Sequence, residues 1–323
     1  RASILDLHGS FSPELQRFVS SDLVVPSQIV QLPKKAPSDR GQSAGWHGVF
    51  RRLIQDALLR KSERPRSTLF ADFVDNSSYE FVIFLGPSAR AIELKKKPFA
   101  WCFWDIAHID HPEFPEVGSA GQFERREATH ATALRKATLI VADSRRLVSD
   151  ASRAFGVKPE KFVVIPLEPP AFTTLAADEP SALPEELADI SGRYFFYPAQ
   201  LWRHKNHLRI VEAVATLNAE GHDFHVVFVG KDYGAGSTLR ASIDRLGMSD
   251  KVHLLGWVED SLIPELYRNA IALVMASYFG PTNIPPLEAM ALGTPVIAAD
   301  QHHEQLGNAA LYFDPDDATA LSE

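Results

Sequence analysis

Ile271-Ala272-Leu273-Val274-Met275-Ala276 leads, through Ser277 and Tyr278, into Phe279-Gly280-Pro281-Thr282-Asn283-Ile284-Pro285-Pro286-Leu287-Glu288-Ala289-Met290-Ala291. The first run is apolar, short and flanked by polar residues, which reads as a buried strand. The second block reads as a loop opening a helix over Pro286–Leu292, closed by Gly293 and Pro295. Proline at the first helical position sacrifices no intrahelical hydrogen bond, and Thr282 and Asn283 offer capping side chains ahead of it. Backbone N–H groups at such a start have no helical partners and form an anion site. Glu288 is expected in the first turn, within reach of a neutral polyol lying beyond the anion. A diphosphate with a sugar at each end suits that layout. The helix macrodipole alone also favours a first-turn Glu, by about 0.3–1 kcal/mol.

The same strand–helix alternation extends outward through the C-terminal half. Tyr194–Pro198, His225–Val229, Val252–Leu255, Ile271–Ala276, Pro295–Ala299 and Ala310–Phe313 read as strands. Leu208, Ile210, Val211, Val214 and Leu217 mark the face of one intervening helix, and helices are expected over Thr238–Leu246 and from about Leu262 to Asn269. Strict alternation predicts a parallel sheet covered by helices on both faces, a Rossmann-like domain. It lacks the Gly-x-Gly-x-x-Gly fingerprint, so a nicotinamide or flavin reading lacks its main support. In the N-terminal half, strands are expected at Phe81–Leu85, Phe99–Phe103, Leu139–Ala142 and Phe162–Ile165, and helices at Phe123–Lys136 and Arg145–Phe155. The segment up to Gly48 has weak periodicity. The predicted organisation is an N-terminal domain over residues 1–168, a linker over 169–184 rich in Pro, Ala, Asp and Glu, and a C-terminal domain over 185–323.

A length of 323 residues agrees with two domains. The net charge of −8 argues against a nucleic-acid partner, which would need a basic face. A single cysteine, Cys102, excludes an internal disulfide and a multi-cysteine zinc site; its apolar neighbours predict a buried, inert thiol. The apolar runs are too short to span a bilayer. No signal-peptide pattern opens the chain at Arg1, which predicts a cytoplasmic setting and is compatible with a longer parent chain.

Ile284-Pro285-Pro286-Leu287-Glu288-Ala289-Met290-Ala291 resembles the donor-site loop of GT-B glycosyltransferases of family 4, whose pattern is Glu-x7-Glu. Gly280 stands where the first Glu of that pattern falls, with Thr282 or Asn283 as substitutes. Tyr197-Pro198-Ala199-Gln200-Leu201-Trp202-Arg203-His204-Lys205-Asn206 resembles the family's Gly-Arg-Leu-x-x-x-Lys-Asn. Lys205 matches the Lys, Gln200 replaces the Arg, and Arg203 and His204 add donors nearby. The resemblance implies that Lys205, with Arg203 and the backbone near Thr282–Ile284, holds the donor diphosphate, and that Glu288 holds the ribose. A cation that tightens on a leaving diphosphate lowers the barrier electrostatically. Base contacts are implied around Gly230, Gly256, Trp257 and Val258, with Leu262 packing there; strand termination explains both glycines equally well.

Trp104-Asp105-Ile106-Ala107-His108 follows a buried strand and resembles the family's His-Asp-Leu, so Asp105 and His108 are expected to bind the acceptor hydroxyl or the transferred sugar. Their spacing with Asp110 and His111 fits no familiar zinc pattern. His302-His303-Glu304 reads as a surface turn or a sugar contact, and Asp314-Pro315-Asp316-Asp317 as a capping turn.

The resemblance implies two Rossmann-like domains around a cleft. It also implies anomeric retention, no cofactor or divalent metal beyond the nucleotide sugar (GDP- or UDP-linked), and a glycan or lipid-linked glycan acceptor in polysaccharide assembly. Peripheral contact with the inner face of a membrane is left open by a lipid-linked acceptor. A nucleotide-sugar epimerase and a non-catalytic nucleotide-sugar-binding module remain as alternatives at this point.

Overall fold

The computed structural model describes residues 66–170, 183–280, 282–317 and 319–323, with Thr173 and two short strands nearer the N-terminus. The chain divides into two compact units, residues 1–64 and 65–323. In the first, β1 (Leu5–Asp6) pairs in parallel with β2 (Val30–Gln31). The rest of that unit, and most of the linker expected at 169–184, lie outside the described residues.

The second unit holds two parallel sheets. One comprises β3 (Val82–Phe84), β4 (Phe99–Cys102), β5 (Leu139–Ala142) and β6 (Phe162–Val164), in that order across the sheet. Helices α1 (Arg66–Asp75), α2 (Ala107–Asp110), α3 (Pro115–Gly118), α4 (Gln122–Lys136) and α5 (Arg145–Phe155) accompany it. The other has six strands: β7 (Tyr194–Pro198), β8 (His225–Val229), β9 (Val252–Gly256), β10 (Ala272–Met275), β11 (Val296–Ala299) and β12 (Leu311–Phe313). Their spatial order is β12-β11-β10-β7-β8-β9, with every pair parallel. Around it lie α6 (Glu185–Ala188), α7 (His207–Ala219), α8 (Gly236–Arg245), α9 (Ile263–Arg268), α10 (Ile284–Ala291) and α11 (His303–Leu306).

Every residue of β8 and β10 is buried, as expected of central parallel strands covered on both faces. Tyr194, Phe196, Tyr197, Phe228 and Tyr267 fill the larger core, and the buried Tyr194 hydroxyl donates to the Leu266 carbonyl at 2.7 Å. The expected α7 face shifts slightly. His207, Ile210, Val211, Ala213 and Val214 are buried, while Leu208 is only partly so. In the smaller core Trp101 stacks near Phe103 with centroids 6.0 Å apart, and Leu134, Ile140 and Leu147 are buried as well.

Candidate active site

Loops after the C-terminal ends of strands from both sheets enclose a cavity of about 920 Å³. The smaller sheet contributes Leu85 after β3, Trp104 and Asp105 after β4, Asp143 after β5 and Ile165–Glu168 after β6. The larger sheet contributes His204 and Lys205 after β7, and Phe279, Gly280, Thr282, Asn283 and Ile284 after β10. Ligands of open α/β sheets bind at this edge. Five of the expected site residues therefore meet here: Asp105, Lys205, Thr282, Asn283 and Ile284.

Lys205 closes a 3-10 turn, Arg203–Lys205, and its Nζ donates to Ser277 Oγ at 3.3 Å. Burial lowers its pKa to about 8, so at neutral pH the site carries a poorly solvated cation. Next to it, the His204 ring lies 3.9 Å from Phe279, centroid to centroid, at 17°. The Glu116 carboxylate, from α3 of the other half, accepts the His204 backbone N–H at 3.0 Å and meets ring Nδ1 at 2.5 Å.

At the head of α10, two of the first three residues, Pro285 and Pro286, lack an N–H. The anion capacity expected of this helix start therefore rests on Ile284 and Leu287, leaving more of it to Lys205. The Asn283 side chain does not cap the helix; it donates to the Gly280 carbonyl at 3.0 Å. Gln305 holds the Asn283 backbone from both sides, accepting its N–H at 2.8 Å and donating to its carbonyl at 2.7 Å. Thr282 donates to Asp143 across the cleft. Burial raises the Asp143 pKa against the pull of that bond.

Gly280 has φ +101°, and a Cβ there would sit 3.1 Å from Asn283 Nδ2. The family's glutamate is thus replaced by a residue suited to a backbone that glutamate adopts only under strain.

Glu288 corrects one expectation. Because α10 starts at Ile284, Glu288 lies in the second turn, not the first, and it does not line the cavity. The Tyr267 hydroxyl donates to its Oε2 at 2.7 Å and lies 3.2 Å from the Pro285 carbonyl. Burial raises the Glu288 pKa despite this bond.

On the smaller sheet, Asp105 Oδ1 accepts the Ala107 N–H at 2.9 Å and pairs with Arg126, which fixes the carboxylate at the cavity wall. His108 is the second correction. It is fully buried, packed 5.0 Å from His130 and 5.5 Å from Phe123, with Nε2 at 3.2 Å from Glu127. Its place on the four-residue α2 turns it into the core, away from the cavity that Asp105 lines, and burial lowers its pKa.

The remaining expected donor residues lie outside the cavity lining. Gln200 accepts the Lys231 N–H at 2.5 Å, so its carbonyl is already engaged. Arg203 is exposed, as is Trp257 at 62%. Val258 and Leu262 pack against the larger core. Gly230 has a steric reason to be glycine, since a Cβ would sit 2.3 Å from the Ala199 carbonyl oxygen. Gly256 ends β9 facing open space.

Cys102 is half-buried and lines the cavity, not sealed in the core as expected, though burial still raises its thiol pKa. His302 is fully buried, with its pKa lowered to about 4, which rules out a surface turn at that residue. Glu304 accepts the Arg146 N–H at 3.0 Å, a further bridge between the halves. Asp317 caps the following turn through Thr319 N at 2.8 Å. Among the described residues, no group of three or more His, Cys, Asp or Glu is placed to hold a metal ion, and no helix is long and apolar enough to cross a membrane.

Residues missed in the sequence are Glu116, Asp143 and Tyr267. Each acts on a partner far along the chain, and no local pattern marks it.

Residues 182–323 match the family model for glycosyl transferases group 1. O-antigen chain mannosyltransferase B of Escherichia coli is 37% identical over 321 residues, covering 96% of this chain and 80% of that protein. O-antigen chain mannosyltransferase RfbU of Salmonella typhimurium is 35% identical over 126 residues, 38% of this chain and about a third (35%) of the relative's length. The crystal structure of Anabaena HepE in complex with UDP-glucose shares the fold with a TM-score of 0.67 at 16% identity, over 98% of this chain and 86% of that one. A glycosyltransferase from Rickettsia africae gives 0.60 at 16%, over 96% and 76%. Similarity across nearly the whole chain at 37% identity, and a family model over the half that carries Lys205 and α10, lead to one conclusion: the chain belongs to the group 1 glycosyl transferases and has the GT-B fold.

Proposed function

We propose that the protein is a retaining mannosyltransferase. It moves mannose from a nucleotide-diphosphate donor, GDP-mannose first among candidates, to a hydroxyl of a glycan or lipid-linked glycan in O-antigen-type polysaccharide assembly. The observation that carries this reading is Lys205, a half-buried cation on the wall of a cavity shared by both sheets, beside the head of α10. The two O-antigen mannosyltransferase relatives support the choice of sugar.

In this reading the C1–O bond to the donor phosphate breaks as the acceptor hydroxyl bonds to C1 from the same face. The hydroxyl proton passes to the departing phosphate oxygen, so no side chain serves as nucleophile. Lys205 meets the charge that grows on the diphosphate, helped by the Ile284 and Leu287 N–H groups. Asp105, held by Arg126, faces the sugar or acceptor from the opposite wall. Glu288, oriented by Tyr267, holds the nucleotide ribose, which then extends beyond the cavity past the head of α10. Neither a cofactor nor a divalent cation enters these steps. The reaction is placed in the cytoplasm, at the inner membrane face when the acceptor is lipid-linked.

The test is a thermal-shift screen with GDP-, UDP-, ADP-, CMP- and dTDP-sugars, with EDTA and then with magnesium. Product anomers would then be read by NMR. A ligand at 100 times its Kd adds about 2.7 kcal/mol. A metal-independent shift with GDP-mannose and an α-linked product are expected. A shift confined to another sugar, or an inverted product, refutes the proposal.

A further inference from the structure

Beside Lys205, the His204 ring is held on three sides. Phe279 stacks on it at 3.9 Å and 17°, and Trp202 lies nearly parallel at 24°, with centroids 6.5 Å apart. The third restraint comes from the other half of the molecule, where one oxygen of Glu116 meets both the His204 backbone N–H and ring Nδ1. Both side chains of this pair are nearly buried, at 10% and 8% exposure.

The chemistry of that contact sets the tautomer. An ionised carboxylate can only accept hydrogen bonds, so Nδ1 carries the proton. Burial and the neighbouring Lys205 cation keep the imidazole neutral, with a pKa of about 4, and the two His204 N–H bonds keep Glu116 ionised. A neutral imidazole has one N–H, already spent on Glu116, so Nε2 keeps its lone pair. Phe279 covers one face, Phe114 lies edge-on at 6.3 Å and Glu116 takes Nδ1; among the described residues no hydrogen bond engages Nε2, and His204 lines the cavity with Lys205.

We propose that His204 is a sugar-positioning residue: its Nε2 accepts a hydrogen bond from a hydroxyl of the donor's transferred sugar, in a tautomer set by Glu116 from across the cleft. The assignment rests on the transferase reading above and deepens it. Its place next to the diphosphate-binding lysine puts the acceptor nitrogen beside the sugar and not the base. Because Glu116 belongs to α3 and His204 to the loop after β7, the required tautomer is set only when the two halves meet. A plain latch between the halves would use Nδ1 alone and have no need of Nε2.

Two measurements separate these roles. Nitrogen-15 NMR of histidine-labelled wild-type protein reads the tautomer without ligand. Nδ1–H at His204, shifting toward Nε2–H in Glu116→Gln, is expected; Nε2–H in the wild type overturns the assignment. Calorimetry then compares GDP-mannose with GDP. His204→Asn keeps a group that can bond Glu116 but places nothing at Nε2. It should weaken GDP-mannose at least tenfold while leaving GDP within twofold, and lower kcat/KM by a similar factor. Equal weakening of both ligands, or of neither, overturns the sugar contact. A wild-type protein that binds no nucleotide sugar removes the transferase reading and the sugar contact with it. A wild type that binds GDP-mannose, beside an unaffected His204→Asn variant, removes only the assignment to His204.

Discussion

Replacing Lys205 with methionine should make the empty protein more stable and the enzyme worse. The ammonium group is half-buried, and burial takes its pKa from 10.5 to about 8. At pH 7 the lysine is charged in both folded and unfolded states, and a shift of this size costs the fold roughly 3 kcal/mol. Methionine fills a similar volume without charge and gives up only the 3.3 Å contact to Ser277, so a gain of about 1–3 kcal/mol is expected at pH 7. The pH dependence is specific. Between the folded pKa near 8 and the unfolded 10.5, the unfolded chain holds more protons, so wild-type stability rises with pH across that window. At pH 9.5 the penalty has fallen to about 1.4 kcal/mol, and it vanishes above 10.5. Urea denaturation of both proteins at pH 7 and 9.5 measures the gap. A variant less stable than wild type, or a gap that does not narrow with pH, refutes the claim that a charged lysine is held there against its desolvation. The same substitution removes the cation opposite the leaving diphosphate, and kcat/KM should fall by about 10²–10³.

Three further outcomes are expected. Tyr267→Phe removes the donor to Glu288 and should cost about 1–2 kcal/mol, with a raised KM for the donor; unchanged values in both would show that the bond positions nothing. Gly280→Glu restores the family's residue type at φ +101° and should lower stability by about 1–3 kcal/mol without improving transfer, as read by the urea midpoint and kcat/KM. Asp143→Asn removes a carboxylate whose pKa burial raises, while keeping an acceptor for Thr282. Wild-type stability is lost as pH climbs through that raised pKa. The variant should therefore melt higher than wild type at pH 7, with an advantage that shrinks on acidification; melting curves from pH 4 to 7 check this.

Apolar periodicity and Gly/Pro punctuation are local properties, and they placed the strands of both sheets in the second unit to within a residue or two. Parallel pairing followed from alternation alone, and with it the expectation of a site at the strand C-termini, where the cavity lies. Lys205 and the Thr282–Ile284 loop were legible because they sit within a few residues of such ends. Side-chain direction in short elements was not. The α2 helix has four residues, too few for a face to be read, so whether His108 pointed to the cleft or the core was settled by packing against His130 and Phe155. Glu288 was visible, but its turn in the helix and its Tyr267 partner depended on where α10 begins and on α9 packing beside it.

By itself the sequence determined the α/β class, the alternation that makes both sheets parallel, the absence of the dinucleotide fingerprint, and the loops carrying Lys205 and α10. Each is carried by residues close together in the chain. Tertiary structure alone decided that Gly280 has a positive φ, that Gln200 is tied to Lys231, that Thr282 meets Asp143 and that Glu116 sets the state of His204. Three of these join residues between 31 and 139 positions apart, and the fourth is a torsion fixed by the loop around it. No local pattern encodes such contacts: Gln200 meets Lys231 only once β7 and β8 pair, and the Thr282–Asp143 and Glu116–His204 contacts exist only once the two sheets face one another.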